Sequence, residues 1–217
     1  MGRRTLRKIH PELELSQHLY QLDDLSPPFS AEQAFGGEAP LEVEMGSGKG
    51  LFLATASAHH PQRHYVGVEV SKRYARYAAA RLAKAKCENA IMIAGDGLRF
   101  FHEFLATQSV DAVHVYFPDP WWKKRHRSRR VLNQPFLEDV QRVLKPQGRL
   151  HFWTDVQEYF ETTLELIEQV TSLDGPHQVI ESVAEHDLDY RTHFERRTRL
   201  AELPVYRAEY WKRGVEE

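Results

Sequence analysis

The chain contains 217 residues, a formal net charge of −2, one cysteine and 41% hydrophobic residues. This length suits one α/β domain, and the near-neutral charge excludes a chain that is basic throughout, so contact with nucleic acid requires a local concentration of positive charge. We find no run of about 18 apolar residues that could span a membrane, no secretory signal and no metal-ligand spacing among the histidines, and we expect a cytoplasmic protein that binds neither membrane nor metal.

The order of the predicted elements indicates two regions. Residues 1–40 are polar and read as a basic N-terminal arm with a short helix over residues 30–35, which Ser30 caps. Residues 41–217 form one domain in which strands alternate with helices. Predicted strands cover residues 41–45, 65–69, 90–94, 110–117, 149–154, 179–183 and 205–211, and predicted helices cover residues 49–59, 72–86, 98–107, 134–144 and 156–172, with a turn at 145–148.

This alternation is typical of βαβ units. Right-handed crossovers then produce a doubly wound, mostly parallel seven-stranded sheet with helices on both faces. Ligands of such sheets bind beyond the carboxyl ends of the strands, so the residues that follow each strand are the candidates for function.

A glycine-rich turn joins the first strand of the domain to the first helix. Gly46, Gly48 and Gly50 allow a sharp turn and a close approach of the backbone to a ligand. The third glycine of a dinucleotide fingerprint is replaced by Leu51, and the spacing of a phosphate-binding loop is absent. Glu44, directly before the turn, would repel a pyrophosphate but attract an ammonium and a sulfonium. The turn therefore predicts a site for S-adenosylmethionine.

Acidic side chains follow the next strands as well. Glu69 ends the second strand of the domain, where a carboxylate can accept both hydroxyl groups of a ribose. Asp96 lies between two glycines after the third strand and suits the amino group of adenine, although Asp96 could equally be a helix cap. Asp119 follows the fourth strand between two prolines, which stiffen the backbone.

A basic run comes directly after Asp119 and an aromatic pair, Trp121 and Trp122. Six of the eight residues from 123 to 130 are Lys or Arg, and none is acidic. Such a run is often only a solvated surface. Next to a cofactor edge, in a chain that is otherwise slightly acidic, it predicts contact with nucleic acid that weakens steeply with salt. Either tryptophan could stack on a displaced base, or pack in the core.

From residue 41 to residue 211 the chain resembles the bacterial tRNA (guanine-N7)-methyltransferases, a Rossmann-like family that depends on S-adenosylmethionine. The most specific stretch is Asp-Pro-Trp-x-Lys-Lys-Arg-His-x-x-Arg-Arg at 119–130, with Trp122 and Ser128 departing from the commonest residues. The resemblance implies methyl transfer to N7 of a guanosine in the variable-loop region of tRNA, by a monomer or homodimer.

The resemblance also implies roles for individual residues. The cofactor would contact Glu44, Gly46, Gly48, Gly50, Glu69, Asp96 and Asp119. The substrate pocket would be lined by Lys123, Asp155, Thr192, His193, Phe194 and Glu195. RNA would be held by Arg125, His126, Arg127, Ser128, Arg129 and Arg130. We expect Asp119 to be catalytic as well, because its carboxylate would stabilise the positive charge that appears on the methylated purine.

Three other functions fit parts of the sequence. Asp119-Pro120-Trp121 is similar to the Asp/Asn-Pro-Pro-aromatic loop of methyltransferases that act on amino groups of adenine or glutamine, but Trp121 stands in place of the second proline. A non-catalytic RNA-binding protein could keep the same fold without the reaction. A small-molecule methyltransferase would give the basic run no role.

Overall fold

The computed structural model describes residues 6, 8–180 and 190–214. In these residues the strands are β1 (Leu19–Gln21), β2 (Leu41–Met45), β3 (His64–Glu69), β4 (Ala90–Ala94), β5 (Val110–Tyr116), β6 (Leu144–Thr154), β7 (Asp174–His177) and β8 (Tyr206–Trp211). The helices are α1 (Ala31–Phe35), α2 (Leu51–His59), α3 (Lys72–Lys84), α4 (Gly97–Arg99), α5 (Gln134–Val143), α6 (Gln157–Val170) and α7 (His193–Leu200). A π-helical turn, Phe100–Phe104, continues α4, and 3₁₀ turns cover Leu22–Asp24 and Lys124–Arg129.

The strands form one mixed sheet in the order β1-β4-β3-β2-β5-β6-β8-β7. The pairs from β1 through β6 are parallel, whereas β8 pairs antiparallel with both β6 and β7. The mostly parallel sheet with helices is therefore confirmed, but the predicted count of seven strands is wrong, because the described residues alone form eight.

Two differences account for the strand count and the strand positions. Residues 19–21, inside the predicted arm, pair with β4 as an additional parallel edge strand. The strand predicted at residues 179–183 is not found where it was expected: β7 ends at His177, Val179 and Ile180 lie outside any strand, and residues 181–183 are outside the described residues. The predicted division at residue 41 stays a prediction, although β1 shows that the arm contributes to the sheet.

Helices cover both faces of the sheet and enclose two apolar clusters. On one face α5 and α6 pack on strand residues such as Val43, Val68 and Val113. On the other face α3 presents Ala75, Ala78, Ala79 and Leu82, spaced three and four residues apart as one helical stripe requires, to the alternate strand residues. These small alanines let α3 approach the sheet closely.

Local sequence explains the helix starts and one misread turn. Ser30 accepts a hydrogen bond from the Gln33 amide and caps α1 as predicted. The turn predicted at residues 145–148 is instead part of β6: Val110 pairs with Leu144, the register then shifts, and Ala112 pairs with Arg149. A proline and a glycine that read as a turn thus form an irregular stretch within a longer strand.

Candidate functional site

Five neighbouring parallel strands, β4-β3-β2-β5-β6, end at the same edge of the sheet. The predicted acidic residues lie at this edge, in the same spatial order, at or just after the strand ends: Asp96, Glu69, Glu44, Asp119 and Asp155. The structure therefore brings residues that are up to 111 positions apart in the sequence to one edge of the sheet. This edge is where doubly wound sheets have their ligand crevice.

The glycine turn between β2 and α2 depends on its glycines. Gly46, Gly48 and Gly50 have φ angles of 76°, 54° and 65°, in the left-handed region that other residues rarely adopt. A Cβ atom on Gly50 would also lie 2.6 Å from Cβ of Ala78, on α3. Only glycine thus permits both the turn and the close packing of α2 against α3.

Glu44 is buried beneath this turn, with 3% of its surface exposed. Its Oε2 atom is buried and has no hydrogen-bond partner among the described residues. Burial, with a smaller contribution from the negative charge of Glu69, raises the pKa of Glu44 to about 8. A buried carboxyl oxygen without a partner is costly unless a ligand satisfies it, so Glu44 suits a cationic or hydrogen-bond-donating group.

Glu69 is held in place by two backbone amides. Oε2 accepts a hydrogen bond from Gly48 N at 2.9 Å, and Oε1 accepts one from Ser71 N at 2.8 Å. The carboxylate therefore ties the glycine turn to the start of α3. Each oxygen keeps a second lone pair, so the fixed carboxylate can still accept hydroxyl groups of a ribose.

Asp96 caps α4, as the structural alternative to its cofactor role predicted. Its Oδ1 atom accepts a hydrogen bond from Leu98 N at 2.9 Å. The following glycine is packed tightly, because a Cβ on Gly97 would lie 2.3 Å from Sδ of Met45. The cap leaves the other carboxylate oxygen available, so capping and adenine binding are compatible.

The loop after β5 has a strained backbone. Phe117 and Trp121, both bulky, have φ angles of 50° and 46°, and conformations of this kind cost on the order of 1–3 kcal/mol each and cluster at functional sites. Between them, Oδ1 of Asp119 accepts a hydrogen bond from Trp121 N at 3.1 Å. This bond and the flanking prolines fix the position of the carboxylate at the crevice edge.

Arg130, predicted to hold RNA, is instead 9% exposed and closes the base of this loop. Its Nε donates to the Pro120 carbonyl at 2.9 Å, its Nη2 donates to Glu158 Oε2 at 2.7 Å, and its guanidinium carbon lies 4.4 Å from the ring centroid of Tyr159. With its charge paired and its surface buried, Arg130 is placed to position the loop, and its predicted contact with RNA stays a prediction.

The other side chains of the basic run differ in their exposure and in their contacts. Arg127 also pairs with Glu158, at 3.2 Å, but is half exposed. Arg129 lies over the Trp121 ring at 5.1 Å, and His126 contacts the same ring edge-on. Trp121 is thus packed by its own loop, whereas Trp122 is 70% exposed. Exposed residues of the run are Lys123, Arg125, Arg127, Ser128 and Arg129.

The second predicted substrate segment forms the start of α7. Thr192 caps the helix by accepting a hydrogen bond from Glu195 N at 3.0 Å. The ring of Phe194, half exposed, stacks on Phe117 at the end of β5 with centroids 6.2 Å apart, and His193 Nε2 lies 3.1 Å from Nη2 of Arg81. The stack brings this segment next to the Asp119 loop.

Glu195 differs from the other members of its segment because it is only 2% exposed. Its oxygens accept hydrogen bonds from Arg191 N at 2.7 Å, Arg199 Nη1 at 3.2 Å and Arg207 Nη2 at 3.5 Å. A carboxylate with these partners orients α7, so the predicted direct contact of Glu195 with substrate stays a prediction.

Arg191, just before this segment, was not singled out in the sequence. Its guanidinium lies 5.8 Å, 5.9 Å and 5.0 Å from the ring centroids of Phe52, Tyr116 and Trp153, and Nη1 donates to the Tyr116 hydroxyl at 3.2 Å. These contacts fasten the start of α7 to the sheet. The sequence contains one partial sign of this role, because Arg191 directly precedes Thr192, a residue type that caps helices.

A cavity of about 900 Å³ lies on the sheet face beneath α7. Its lining includes Arg191 and Glu195 but none of the five strand-end acids. Within the described residues no cluster of His, Cys, Asp and Glu could hold a metal ion, and no helix there is long and apolar enough to cross a membrane.

Comparison with known structures shows the fold. The 16S rRNA (adenine(1408)-N(1))-methyltransferase of Catenulisporales acidiphilia, solved as a mutant with its cosubstrate SAM, superposes with a TM-score of 0.59 at 17% identity, covering 86% of this chain and 92% of that chain. At this identity the match shows a shared fold and nothing finer.

Comparison at the sequence level is more specific. A family model described as "Putative methyltransferase" matches residues 38–208, a range that includes the glycine turn, the strand-end acids and the basic loop. A tRNA (guanine-N(7)-)-methyltransferase of Rhodopirellula baltica is 48% identical over 99% of this chain and 81% of the relative, and one of Rubrobacter xylanophilus is 32% identical over 78% of each. The chain therefore belongs to the tRNA (guanine-N7)-methyltransferase family.

Proposed function

We propose that this protein transfers a methyl group from S-adenosylmethionine to N7 of a guanosine in tRNA, in the variable-loop region. The observation that carries the proposal is the row of strand-end acids at one sheet edge, beside the exposed cations of the Asp119 loop. Family membership supports the same reaction. The tRNA pool of the cytoplasm is the proposed place of action, for a monomer or a homodimer.

The residues at the edge fit the methyl donor. Glu44 offers the buried Oε2 atom, which has no partner among the described residues, to the ammonium group, and Glu69 offers a fixed carboxylate to the ribose. Asp96 keeps one oxygen for the adenine amino group. When bound, S-adenosylmethionine supplies an electrophilic methyl group on a sulfonium. The chain itself contributes position, because the glycine turn and Glu69 fix one side of the crevice before the substrate arrives.

The substrate side of the reaction requires little proton chemistry. N7 of guanine carries a free lone pair, so no side chain has to remove a proton before the attack. The purine becomes cationic as the bond forms, and a fixed carboxylate gains interaction with it in the transition state. We assign this stabilisation to Asp119, whose carboxylate the Trp121 amide and the two flanking prolines hold.

Substrate recognition must reach an atom that a regular helix hides. N7 lies in the deep groove of A-form RNA, which side chains cannot read, so the target guanosine has to be displaced or lie in a loop of the folded tRNA. Phe194 and Trp122 are exposed aromatic side chains beside the crevice that could stack on such a base. Lys123, Asp155, Thr192 and His193 are proposed to line the same pocket, and Lys123 and Asp155 are exposed.

The test uses purified protein, labelled S-adenosylmethionine and unmodified tRNA, followed by chemical cleavage at N7-alkylated purines. One cleavage site in the variable loop is expected. The matched variant Asp119→Asn keeps the shape of the side chain but removes the charge, and we expect about a hundredfold lower turnover. Label on an exocyclic amino group would instead support the amino-group methyltransferase, and RNA binding without transfer would support the non-catalytic alternative.

A further inference from the structure

The exposed face of α3 carries only positive charge. Residues 72–84 contain five cationic side chains and no acidic one, although the whole chain has 31 acidic and 29 basic residues. The cations are Lys72, Arg73, Arg76, Arg81 and Lys84. The apolar stripe of the helix is buried in the core, so the helix cannot turn this stripe toward a lipid surface.

Four of these cations are not paired with acids within the part of the chain that the structure describes. None of the salt bridges found there involves Lys72, Arg73, Arg76 or Lys84. Some exposed or half-exposed arginines elsewhere are paired with acids: Arg63 with Glu42, for example, at 2.9 Å. A solvated surface of ordinary composition would mix both signs of charge, so this segregation points to an anionic partner.

Helix α7 continues the same surface. Arg81 on α3 donates from Nη2 to Nε2 of His193 at 3.1 Å, which joins the two helices. Exposed Arg197 on α7 lies over the Phe194 ring at 4.6 Å. The one acid of α7, Glu195, is buried among arginines and does not reduce the positive charge outside. We call the exposed cations of α3 and Arg197 the α3/α7 surface.

The α3/α7 surface begins at the crevice edge. α3 starts three residues after Glu69, whose carboxylate accepts the Ser71 amide, and α7 starts at the segment that stacks on Phe117. The Asp119 loop leaves the same edge in another direction, because Arg130 and Arg127 fasten it to Glu158 on α6. Helices α3 and α6 pack in the clusters on opposite faces of the sheet.

We propose that the α3/α7 surface is a second contact site for the sugar–phosphate backbone of the tRNA, on the opposite flank of the crevice from the basic loop. This inference rests on the proposed function for the identity of the RNA. The guanosine would enter the crevice between two cationic flanks. Phosphate contacts of this kind orient a nucleic acid without reading its sequence, and two separated contacts fix the target better than one.

The test compares two double variants that each remove two positive charges. The test variant is Arg73→Gln with Arg76→Gln. The control variant is Arg149→Gln with Arg213→Gln, which changes exposed arginines at the other end of the sheet, where both have acidic partners. Thermal melting of both variants checks that they fold. Binding of unmodified tRNA is measured by filter retention from about 50 to about 300 mM salt, the range in which phosphate contacts are sensitive to salt.

The test variant is expected to bind tRNA about tenfold more weakly, with a log–log salt slope shallower by about 1.5, since each lost phosphate contact removes about 0.7–0.9. The control variant should match the unchanged protein. If both variants bound tRNA as tightly as the unchanged protein and with the same salt slope, the inference would be overturned while the proposed methyl transfer would stand. Absence of N7 methylation by the unchanged protein would overturn the proposed function instead, because the present inference is measured by binding alone.

Discussion

Burial of Glu44 predicts that cofactor binding releases a proton. With its pKa raised to about 8, about 0.9 of the Glu44 carboxyls carry a proton at pH 7 in the ligand-free protein. An ammonium group placed beside the unpartnered Oε2 favours the ionised form. Binding of S-adenosylhomocysteine, which keeps the ammonium and the carboxylate of the cofactor, should therefore release about 0.9 proton at pH 7 and about 0.5 at pH 8.

The assay is titration calorimetry in buffers with different ionisation enthalpies, because the dependence of the apparent enthalpy on the buffer gives the number of protons released. Glu44→Gln, which has the same shape and cannot ionise, should release none. Asp96→Asn, at the same crevice, serves as the control and should keep the release whatever its affinity. Release near zero from the unchanged protein at pH 7 would show that Glu44 is already ionised and would refute the reasoning.

The raised pKa of Glu44 also predicts how the stability of the protein depends on pH. Because the folded protein holds this proton up to about pH 8, whereas the unfolded chain loses it near pH 4.5, the free energy of unfolding falls as the pH rises through that window. Glu44→Gln should therefore raise the melting temperature of the ligand-free protein more at pH 8 than at pH 5. An equal effect at both values would contradict the prediction.

Three further predictions concern packing, the loop and acid stability. Gly50→Ala should lower the free energy of unfolding in urea by about 1–3 kcal/mol, because its φ is 65° and the new Cβ meets Ala78. Arg130→Lys should slow methyl transfer about tenfold with little change in melting, since lysine cannot bond Pro120 and Glu158 together. Burial lowers the pKa of His114 to about 4, so the unfolded chain takes up a proton at this histidine before the folded protein does as the pH falls. The free energy of unfolding should therefore fall by about 2 kcal/mol when the pH is lowered from 6.5 to 5, and His114→Asn should remove much of this loss.

Each of these predictions has a control or an outcome that contradicts it. For Gly50 the control is Gly37→Ala, where a Cβ meets nothing within 4 Å, and equal destabilisation at both sites would refute the packing argument. Full activity of Arg130→Lys would show that the clamp does not position the loop. An unchanged pH profile in His114→Asn would mean that other groups set the acid limit.

The sequence was sufficient to predict the alternating strands and helices of the parallel sheet. Strands β2 and β4 begin and end where their apolar runs predict, and α3 follows from its alanine spacing. The strand-end acids were found because parallel strands must end at one edge, whatever the loops do. Strand β1 was missed because three half-buried residues between polar segments give no periodicity that distinguishes an edge strand from a loop.

The site was less predictable wherever burial decides a residue's role. The basic run gave no sign that Arg130 is buried and clamps the loop while Arg125 is exposed, since the partner of Arg130, Glu158, lies 28 residues away. Glu195 looked like a pocket residue. Its partner Arg199 is one turn away on α7, but its partner Arg207 lies on β8 and becomes a neighbour only when α7 packs on the sheet. The periodicity of apolar residues and the motifs locate the functional edge of the sheet, but they do not show which side chains pair with one another there.

The left-handed backbone at Phe117 and Trp121 has a consequence for how the Asp119 loop can be studied. Contacts with the rest of the fold hold both ends of the loop, through the bond from the Phe117 amide to the Trp153 carbonyl and through the bond from Arg130 to Glu158 on α6. An excised peptide of residues 117–130 would lose these anchors, relax to ordinary φ angles and scatter its cations. The loop therefore cannot be transplanted as a module, and the RNA contact proposed for it has to be measured in the folded enzyme.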